Sequence, residues 1–373
     1  MPHRFLQKLI LTLSGSFLFD GRLHRRKRRP TGNLALIGLL GVLLLGNRLS
    51  STTGVETGEG KFPNYTTALG IALESLPYPY PVHYLSLEIE GQPLRMAYME
   101  VQPSGTGNGR AVVLLHGKNF YGSYWENTIQ VLSKAGYRVI VPDQIGFGKS
   151  AKPDIHYSFD LLAANTAQLL DHLKVEKVAV VGHSMGGMLA VRFARNYPQR
   201  TTHLILENPI GLEDYRFKVP PLSLEKLIEN EMTQTPEKIR AFFKHYVVEW
   251  KPEIYEPYVE VRTRILLSGE YPRWAKSSAL TYQMIYQQPV RHEFGLIEPP
   301  TLLVIGLADR TTLGRGSVPE EVLKTLGQYP ELGKAAARDI PHCKLVELEN
   351  VGHIPHLEAP EKFHGALLDF LKS

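Results

Sequence analysis

From residue 82 onward, short runs of β-branched and aliphatic residues alternate with amphipathic stretches. The runs predict strands at 82–90, 94–101, 111–117, 137–143, 178–184, 203–209, 301–309 and 344–353. The amphipathic stretches predict helices at 127–135, 161–173, 185–197 and 361–371. This alternation is typical of βαβ units, so we expect an α/β fold in which helices cover both faces of a mostly parallel sheet.

Two details refine the predicted sheet. The first two strands are separated only by Gly91, Gln92 and Pro93, which predicts an antiparallel hairpin. The runs that start at 111, 137, 178 and 301 are continuously apolar and do not alternate with polar residues. The lack of alternation is typical of strands that are covered on both faces of the sheet.

The alternation breaks once, between Pro209 and Thr301, where helical patterns such as LSLEKLIENEM follow one another without a strand pair. We interpret residues 212–297 as a helical cap inserted into the core, which then consists of 61–211 and 298–373. The cap holds thirteen of the thirty-five aromatic residues. They could form the cap's own core, or several could line an apolar pocket.

Residues 1–60 have a different character from the rest of the chain. A basic cluster at 22–29 precedes twelve uncharged, mostly aliphatic residues at 34–45, the order found in a secretory signal. As a helix the apolar run would span roughly 18 Å, against roughly 30 Å for a bilayer core. We therefore expect a signal or marginal membrane anchor followed by a Gly/Ser/Thr-rich linker, and a body exported or held at the outer face of the cytoplasmic membrane.

Charge and composition exclude several classes of function. The formal charge is +5, but residues 1–60 hold nine Lys/Arg and three Asp/Glu, so the rest of the chain carries a net charge of −1. A near-neutral body offers no broad basic face to nucleic acid. The chain contains no H-E-x-x-H motif, no clustered Cys/His pairs and no Walker loop, so we expect no metal and no cofactor, and a small molecule as substrate.

The segment Gly182-His183-Ser184-Met185-Gly186 matches the pattern G-x-S-x-G. The pattern alone is weak, but here it follows a predicted buried strand and opens a predicted helix. In that position it predicts a nucleophile elbow, a turn so tight that residues two positions from the Ser must lack side chains. Ser184 is therefore the candidate nucleophile.

A serine nucleophile needs a base and a carboxylate that orients the base. His353 follows the last predicted strand, and Asp309 ends the strand before it. The chain order Ser, Asp, His is that of the elbow architecture. Glu207, at the end of the preceding strand, is the alternative acid.

An acyl-transfer site also needs donors for the oxyanion. Met185 directly follows the candidate nucleophile, and Lys118 lies just beyond the first central strand. We expect the backbone N–H groups of Lys118 and Met185 to form the oxyanion hole. His116, His183 and Asp143 are interpreted as residues that hold these turns.

Five segments in this order resemble the α/β-hydrolase superfamily: HGKNFYGSYW, DQIGFGKSAKP, VGHSMGGMLAVRFARNYP, GLADRTT and VGHIPHLEAPEKF. The similarity covers about residues 82–373. It is greatest to the branch that contains epoxide hydrolases, haloalkane dehalogenases, esterases and meta-cleavage-product hydrolases. The resemblance implies an eight-stranded sheet whose second strand is antiparallel, a helical cap and a Ser-His-Asp triad. The 44 positions between Asp309 and His353 make a longer connection than is usual in this branch.

The nucleophile narrows the function. Dehalogenases and epoxide hydrolases attack saturated carbon with a carboxylate, whereas a serine would be left there as an inert ether. Ser184 therefore predicts acyl chemistry, with a carboxylic ester or lactone that has an apolar part as the leading substrate. Two alternatives stay open: hydrolysis of a carbon–carbon bond in a vinylogous diketone, with Lys118 or Arg216 binding a substrate carboxylate, and a non-catalytic ligand-binding protein.

Overall fold

A single eight-stranded sheet organises the fold of the protein. The computed structural model describes Pro63 and residues 65–372, and all of them belong to the second of two units into which the chain divides, Met1–Lys61 and Phe62–Ser373. The strands are β1 (Val82–Ile89), β2 (Gln92–Val101), β3 (Ala111–Leu115), β4 (Arg138–Pro142), β5 (Val178–His183), β6 (Thr201–Glu207), β7 (Thr301–Gly306) and β8 (Cys343–Leu348). Their order across the sheet is β1-β2-β4-β3-β5-β6-β7-β8.

The sheet confirms the predicted topology. β1 and β2 form the antiparallel hairpin, β2 also pairs antiparallel with β4, and all other pairs are parallel. Every residue of β3, β5 and β7 is buried, as the continuously apolar runs predict. Because these three strands are parallel, their carboxyl ends lie at the same edge of the sheet.

Helices follow the strands in chain order. They are α1 (Glu126–Lys134), α2 (Phe159–His172), α3 (Met185–Asn196), α4 (Leu224–Met232), α5 (Pro236–Lys244), α6 (Pro252–Leu266), α7 (Tyr271–Gln287), α8 (Glu320–Leu323), α9 (Tyr329–Asp339), α10 (Pro355–Glu358) and α11 (Pro360–Leu371). The four helices predicted for the core are present within two residues at each end.

Helices cover both faces of the sheet, and successive side chains of each strand point to opposite faces. Val113 and Leu115 of β3 pack into one apolar cluster with α2, α3 and α9, whereas Val112 and Leu114 pack into a second with α1 and α11. Since side chains alternate along a strand, a fully covered strand must be apolar at every position. This burial makes the centre of the sheet a rigid base for the loops at its edge.

Residues 208–300 are all described, and they contain α4–α7 but no strand. α4 corresponds to the helical pattern LSLEKLIENEM of the predicted cap. Within the described part of the chain, no helix combines the length and the hydropathy needed to cross a membrane. The apolar run at 34–45 lies outside the described residues.

The long connection after β7 differs from its expected form. The pattern EEVLKTLGQY at 320–329 suggests one helix, but α8 has four residues and the longer α9 begins only at Tyr329. α8 ends at Leu323, Gly327 has φ +61° in the connection that follows, and Pro330 lies in the first turn of α9. The spacing of apolar residues therefore continues through a segment in which the helix is interrupted.

Candidate active site

Ser184 lies in a sharp turn between β5, which ends at His183, and α3, which begins at Met185. Its backbone has φ 56° and ψ −120°, a strained conformation for a residue with a side chain. A Cβ on Gly182 would lie 2.2 Å from the carbonyl oxygen of Gly186, and a Cβ on Gly186 would lie 2.1 Å from that of Leu115. The glycines are thus required by the close approach of strand and helix, as the elbow pattern predicts.

The structure brings together the three residues that the sequence singles out. Ser184 Oγ lies 2.9 Å from Nε2 of His353, and Nδ1 of His353 lies 2.7 Å from Oδ2 of Asp309. The side chains of His353 and Asp309 are fully buried. With Asp309 as acceptor, Nδ1 of His353 carries the proton and Nε2 is free to accept the proton of the Ser184 hydroxyl.

Asp309 stays ionised in spite of its burial. Burial raises the pKa of the Asp309 carboxyl. His353 and hydrogen bonds from Thr311 and Asn208 lower this pKa by a larger amount, so it lies below its usual value. Thr311 N–H donates to Oδ1 over 2.7 Å, and Nδ2 of Asn208 donates to Oδ2 over 2.9 Å. Asn208 in turn accepts the N–H of Gly306 through Oδ1 at 2.8 Å, so both ends of its amide are fixed.

Glu207, the alternative acid, is fully buried and has a different partner. Its Oε1 accepts the backbone N–H of His356 at 2.7 Å and Nδ1–H of the same residue at 2.9 Å. Burial raises the pKa of Glu207 to about 7 and lowers the pKa of His356 to about 3, which keeps the imidazole neutral. The contacts of His353 thus favour Asp309 over Glu207 as its orienting carboxylate.

The backbone of His353 is held from two sides. Its N–H donates to the carbonyl oxygen of Tyr246, which follows α5, at 2.6 Å. Its carbonyl oxygen lies 2.7 Å from Nε2 of His183. Cap and core therefore both fix the position of the candidate base.

The loop after β3 lies directly beside the elbow. A Cβ on Gly117 would lie 3.2 Å from Cβ of Ser184, so the loop that carries Lys118 passes very close to the candidate nucleophile. Nδ1 of His116 lies 2.9 Å from the carbonyl oxygen of Gly117, while its Nε2 accepts the N–H of Gln144 at 3.1 Å. This fixed loop and the start of α3 at Met185 are the two places where the sequence predicts oxyanion donors.

Asp143 acts as a turn-fixing residue, in agreement with the interpretation of DQIGFGKS. Its carboxylate accepts the N–H groups of Gly122 at 2.6 Å and Lys149 at 2.7 Å. The hydroxyl of Tyr78 also donates to it, at 2.7 Å. Asp143 is thereby occupied with loop backbone and does not contact the candidate triad.

A cavity of about 610 Å³ opens onto Ser184 beneath the cap. Its apolar and aromatic lining comes from Ile210, Ile239, Ala241, Phe242, Phe243, Tyr246, Tyr282, Ile285 and Leu313. This volume is typical of a small-molecule site. Four of the thirteen cap aromatics line it, and others, such as the stacked pair Tyr271 and Trp274, pack within the cap. Some cap aromatics therefore line an apolar pocket and others pack within the cap, so both interpretations hold in part.

The charged side chains that line the cavity are mostly cationic. They are Lys118, Lys238, Arg262 and Arg315, against Glu231 alone among the acids. Since the body of the chain is close to neutral overall, this excess of positive charge is local to the cavity. A cleft lined by one sign of charge attracts ligands of the opposite sign.

Two of these cations, Lys118 and Arg262, are fixed by the cap. Nζ of Lys118 donates to the carbonyl oxygen of Ser278 at 2.8 Å, to the Ser278 hydroxyl at 2.9 Å and to Thr281 Oγ1 at 3.1 Å, all on α7. Arg262 donates to Glu231 at 3.2 Å and lies over the Trp274 ring at 4.0 Å. Burial, opposed by Glu231 and assisted by Arg262, lowers the pKa of Lys118 to about 8.

Arg216, the other residue considered as a clamp for a substrate carboxylate, does not line the cavity. It forms an ion pair with Asp214 at 2.7 Å, and its side chain is 45 % exposed. Across Pro63 and residues 65–372, no group of three or more His, Cys, Asp or Glu side chains could hold a metal ion.

Comparison with known proteins identifies the family. A family model described as "alpha/beta hydrolase fold" matches residues 110–360, two thirds of the chain. The chain belongs to the α/β-hydrolase fold family. The crystal structure of a probable hydrolytic enzyme from Pseudomonas aeruginosa PAO1 is similar to this hydrolase, with 46 % identity and a TM-score of 0.81, and the match covers 83 % of this chain and all of that one.

Two curated relatives carry substrate names. The hydrolase is 29 % identical to the 2-hydroxy-6-oxo-6-phenylhexa-2,4-dienoate hydrolase of Burkholderia cepacia over 74 % of its own length and 92 % of the relative's. It is 37 % identical to the 2-hydroxy-6-oxononadienedioate/2-hydroxy-6-oxononatrienedioate hydrolase of Comamonas testosteroni, but the match spans only 48 % of that protein. These similarities support hydrolytic chemistry and leave the substrate of this hydrolase to be tested.

The geometry adds residues that sequence reasoning missed. Asn208 orients Asp309, Tyr246 holds the backbone of His353, and Arg262 lines the cavity. For Asn208 a signal existed, because a polar residue directly follows a buried strand at the edge of the sheet where the candidate site lies. Tyr246 acts through its backbone carbonyl group, which every residue has, and Arg262 lines the cavity because of the position of α6. Neither role can be recognised from the sequence pattern.

Proposed function

We propose that this hydrolase acts on carboxylic esters or lactones through Ser184, His353 and Asp309. The observation that carries the proposal is the continuous contact from Ser184 Oγ through His353 to Asp309 at the floor of the cavity. A serine in contact with an imidazole that is itself bound to a buried carboxylate is the arrangement needed for acyl transfer.

The proposed reaction has two halves. In acylation, Ser184 Oγ attacks the carbonyl carbon while its proton passes to Nε2 of His353, and the backbone N–H groups of Lys118 and Met185 bind the resulting oxyanion. The leaving alcohol takes the proton from His353 as the ester bond breaks. In deacylation, His353 accepts a proton from water as the hydroxide adds to the acyl carbon, and it returns this proton to Ser184 Oγ when the bond between Oγ and the acyl carbon breaks and the acid leaves.

The cavity supports a substrate with an apolar part. Aromatic and aliphatic side chains form much of its wall, and its volume suits a molecule larger than acetate. We expect p-nitrophenyl butyrate to be hydrolysed with a higher kcat/KM than p-nitrophenyl acetate, since its longer acyl chain buries more apolar surface.

The decisive experiment uses Ser184→Ala. This change should remove hydrolysis of p-nitrophenyl butyrate and labelling by a fluorophosphonate probe, because both need the Ser184 hydroxyl. Thermal unfolding should show a melting temperature close to that of the wild type, since only one oxygen is lost from a packed turn. Residual turnover within tenfold of the wild type would exclude Ser184 as the nucleophile. Folded wild-type protein that neither reacts with the probe nor hydrolyses an ester would instead support a non-catalytic ligand-binding protein.

A second candidate function is hydrolysis of a carbon–carbon bond in a dienoate. The cationic side chains of Lys118 and Arg262 in the cavity support it, as do the substrate names of the two curated relatives. The test is turnover of 2-hydroxy-6-oxo-6-phenylhexa-2,4-dienoate beside p-nitrophenyl butyrate. A kcat/KM at least a hundredfold higher for the dienoate would make carbon–carbon hydrolysis the function, and the opposite ranking would leave the ester or lactone.

We also propose that residues 1–60 direct export or anchor the hydrolase at the outer face of the cytoplasmic membrane. The basic cluster followed by the apolar run at 34–45 supports this placement. A fusion of residues 1–60 to a reporter that is active only after export tests it, and an inactive reporter retained inside the cell would contradict it.

A further inference from the structure

A chain of hydrogen bonds runs beneath the candidate site through Tyr124 and His183, two residues outside the candidate triad and oxyanion hole. The N–H of Gly117 donates to the hydroxyl oxygen of Tyr124 at 3.1 Å, and this hydroxyl lies 3.1 Å from Nδ1 of His183. Nε2 of His183 lies 2.7 Å from the carbonyl oxygen of His353. All the side chains involved are buried.

The direction of each bond in this chain follows from its ends. A carbonyl oxygen can only accept, so Nε2 of His183 must carry the proton and donate to His353. Nδ1 of the neutral ring then has only a lone pair, so the Tyr124 hydroxyl must donate to it. The oxygen of Tyr124 keeps a lone pair for the N–H of Gly117. The donor and the acceptor of each bond are thus fixed, and no bond in the chain can reverse its direction unless the others also change.

Burial keeps both side chains in the required protonation states. It lowers the pKa of His183 to about 3, so the ring stays neutral at any pH near 7. Burial, together with the nearby Glu207, raises the pKa of the Tyr124 hydroxyl well above its usual value, so the hydroxyl keeps its proton. The chain is therefore a fixed structural element and does not itself exchange protons with solvent.

Three members of the chain lie beside the three proposed catalytic groups. Gly117 directly precedes Lys118 in the oxyanion loop, His183 directly precedes Ser184, and the third member is the backbone of His353 itself. We infer that Tyr124 and His183 are positioning residues that hold the oxyanion loop, the nucleophile and the base in one fixed relative geometry. This inference rests on the proposed function for its effect on rate, whereas the hydrogen-bond chain itself does not.

Loss of this positioning should affect turnover more than substrate binding. Catalysis depends on the relative positions of nucleophile, base and oxyanion donors to within a fraction of an ångström, whereas binding depends on the cavity wall. Neither Tyr124 nor His183 lines the cavity. Removing the Tyr124 hydroxyl frees the N–H of Gly117 and Nδ1 of His183 together, so the two loops lose their common anchor.

The kinetic test compares Tyr124→Phe with Tyr137→Phe. Tyr137 is an equally buried tyrosine whose hydroxyl donates to the carbonyl oxygen of Leu371 at 3.2 Å, away from the site. For p-nitrophenyl butyrate, Tyr124→Phe should lower kcat about tenfold or more and leave KM within twofold, while Tyr137→Phe leaves both within twofold. Equal kcat in the two variants would reduce Tyr124 to a packing residue and overturn the inference.

A second variant and a spectroscopic measurement cover the case in which Tyr124→Phe does not fold. His183→Gln can place its amide N–H at the position of Nε2 and so keep a donor for the His353 carbonyl, but it has no acceptor at the position of Nδ1, so it should also lower kcat with little change in KM. In wild-type protein with ¹⁵N-labelled histidine, NMR should show His183 as the neutral Nε2–H tautomer from pH 5 to 9. The Nδ1–H tautomer or a charged ring would refute the chain.

The two kinds of failure are distinguishable. If the wild type shows no turnover and no fluorophosphonate labelling, the proposed function falls, and with it the catalytic role of the chain, whatever the tautomer of His183. If the wild type is active but His183 has the other tautomer, only the present inference falls.

Discussion

Asp309 shows how a single buried carboxylate can be kept charged at the edge of the sheet. Three donors converge on its two oxygens: Nδ1 of His353, Nδ2 of Asn208 and the N–H of Thr311. Buried charge is tolerated only where such partners exist, and these partners also fix the direction of the carboxylate. Glu207 lies one strand away and has His356 as its partner, so two neighbouring acids have separate tasks.

This separation predicts unequal effects of two isosteric changes. Asp309→Asn should lower kcat by roughly 10³- to 10⁴-fold, because an amide no longer stabilises the imidazolium of His353 and can favour the wrong tautomer. Glu207→Gln should lower kcat less than tenfold, since its side chain does not contact His353. Steady-state kinetics of both variants with p-nitrophenyl butyrate provide the comparison. The reverse ranking would assign the orienting carboxylate to Glu207.

At the scale of elements, the elbow depends on the close crossing of β5, α3 and the end of β3. A Cβ on Gly186 would overlap the carbonyl group of Leu115, and a Cβ on Gly182 would overlap the carbonyl group of Gly186. Each contact is with backbone atoms, which cannot rotate away as a side chain would. The position of Ser184 is therefore a consequence of how two strands and a helix pack.

Gly186→Ala should destabilise the fold by about 3 kcal/mol or more, because the new methyl group overlaps a backbone carbonyl in a packed core. Gly365→Ala is the matched control, since Gly365 lies within α11 and a Cβ there would meet no other atom within 4 Å. That change should stabilise by about 0.5–1 kcal/mol. Urea unfolding measures both, and equal effects would show that the elbow can relax around an added methyl group.

The elements themselves were predictable where local pattern and burial agree. The short Gly91-Gln92-Pro93 connection gave the β1–β2 hairpin, and continuous apolar runs gave the buried strands β3, β5 and β7. The helix break before α9 was missed because apolar spacing continues through Gly327. Residues 65–81 were also missed: they have no regular period, yet Leu69, Ile71 and Leu73 are buried by packing against α6 and α7.

At the scale of the whole molecule, buried ionisable groups couple the active-site region to overall stability. Glu207 has a pKa of about 7 in the folded chain because burial disfavours its charge, whereas its ordinary value is 4.5. Between these two values the folded chain holds a proton that the unfolded chain has released. Stability from this group is therefore complete below about pH 4.5 and is lost as pH rises towards 7.

Glu207→Gln removes this dependence. Relative to the variant, the wild type should lose on the order of 2–3 kcal/mol of unfolding free energy between about pH 4.5 and pH 7, and the difference should be constant at higher pH. Urea unfolding of both proteins at half-unit steps of pH measures it. A difference that stays flat across this window, or one that changes in favour of the wild type, would contradict the raised pKa of Glu207.

The residues of the candidate triad could be predicted from the sequence, whereas most of the residues that line the cavity could not. Ser184, Asp309 and His353 follow strand ends in a fixed chain order, so strand assignment alone brings them to one edge of the sheet. Phe242 and Arg262 line the cavity because α5 and α6 fold over that edge, which depends on contacts between residues far apart in the chain. Of the two candidates for binding a substrate carboxylate, Lys118 lines the cavity, whereas Arg216 pairs with Asp214 and does not line it, and the sequence alone could not decide between them.

The double attachment of the cap limits how the substrate range of this hydrolase could be altered. One helix end supplies the carbonyl oxygen of Tyr246 to the backbone of His353, and another helix supplies Ser278 and Thr281 to Lys118. A foreign cap grafted between β6 and β7 would need to reproduce both sets of acceptors as well as a new pocket shape. Recombination within α5 or α7 that leaves these atoms in place is consequently the more promising route to altered selectivity.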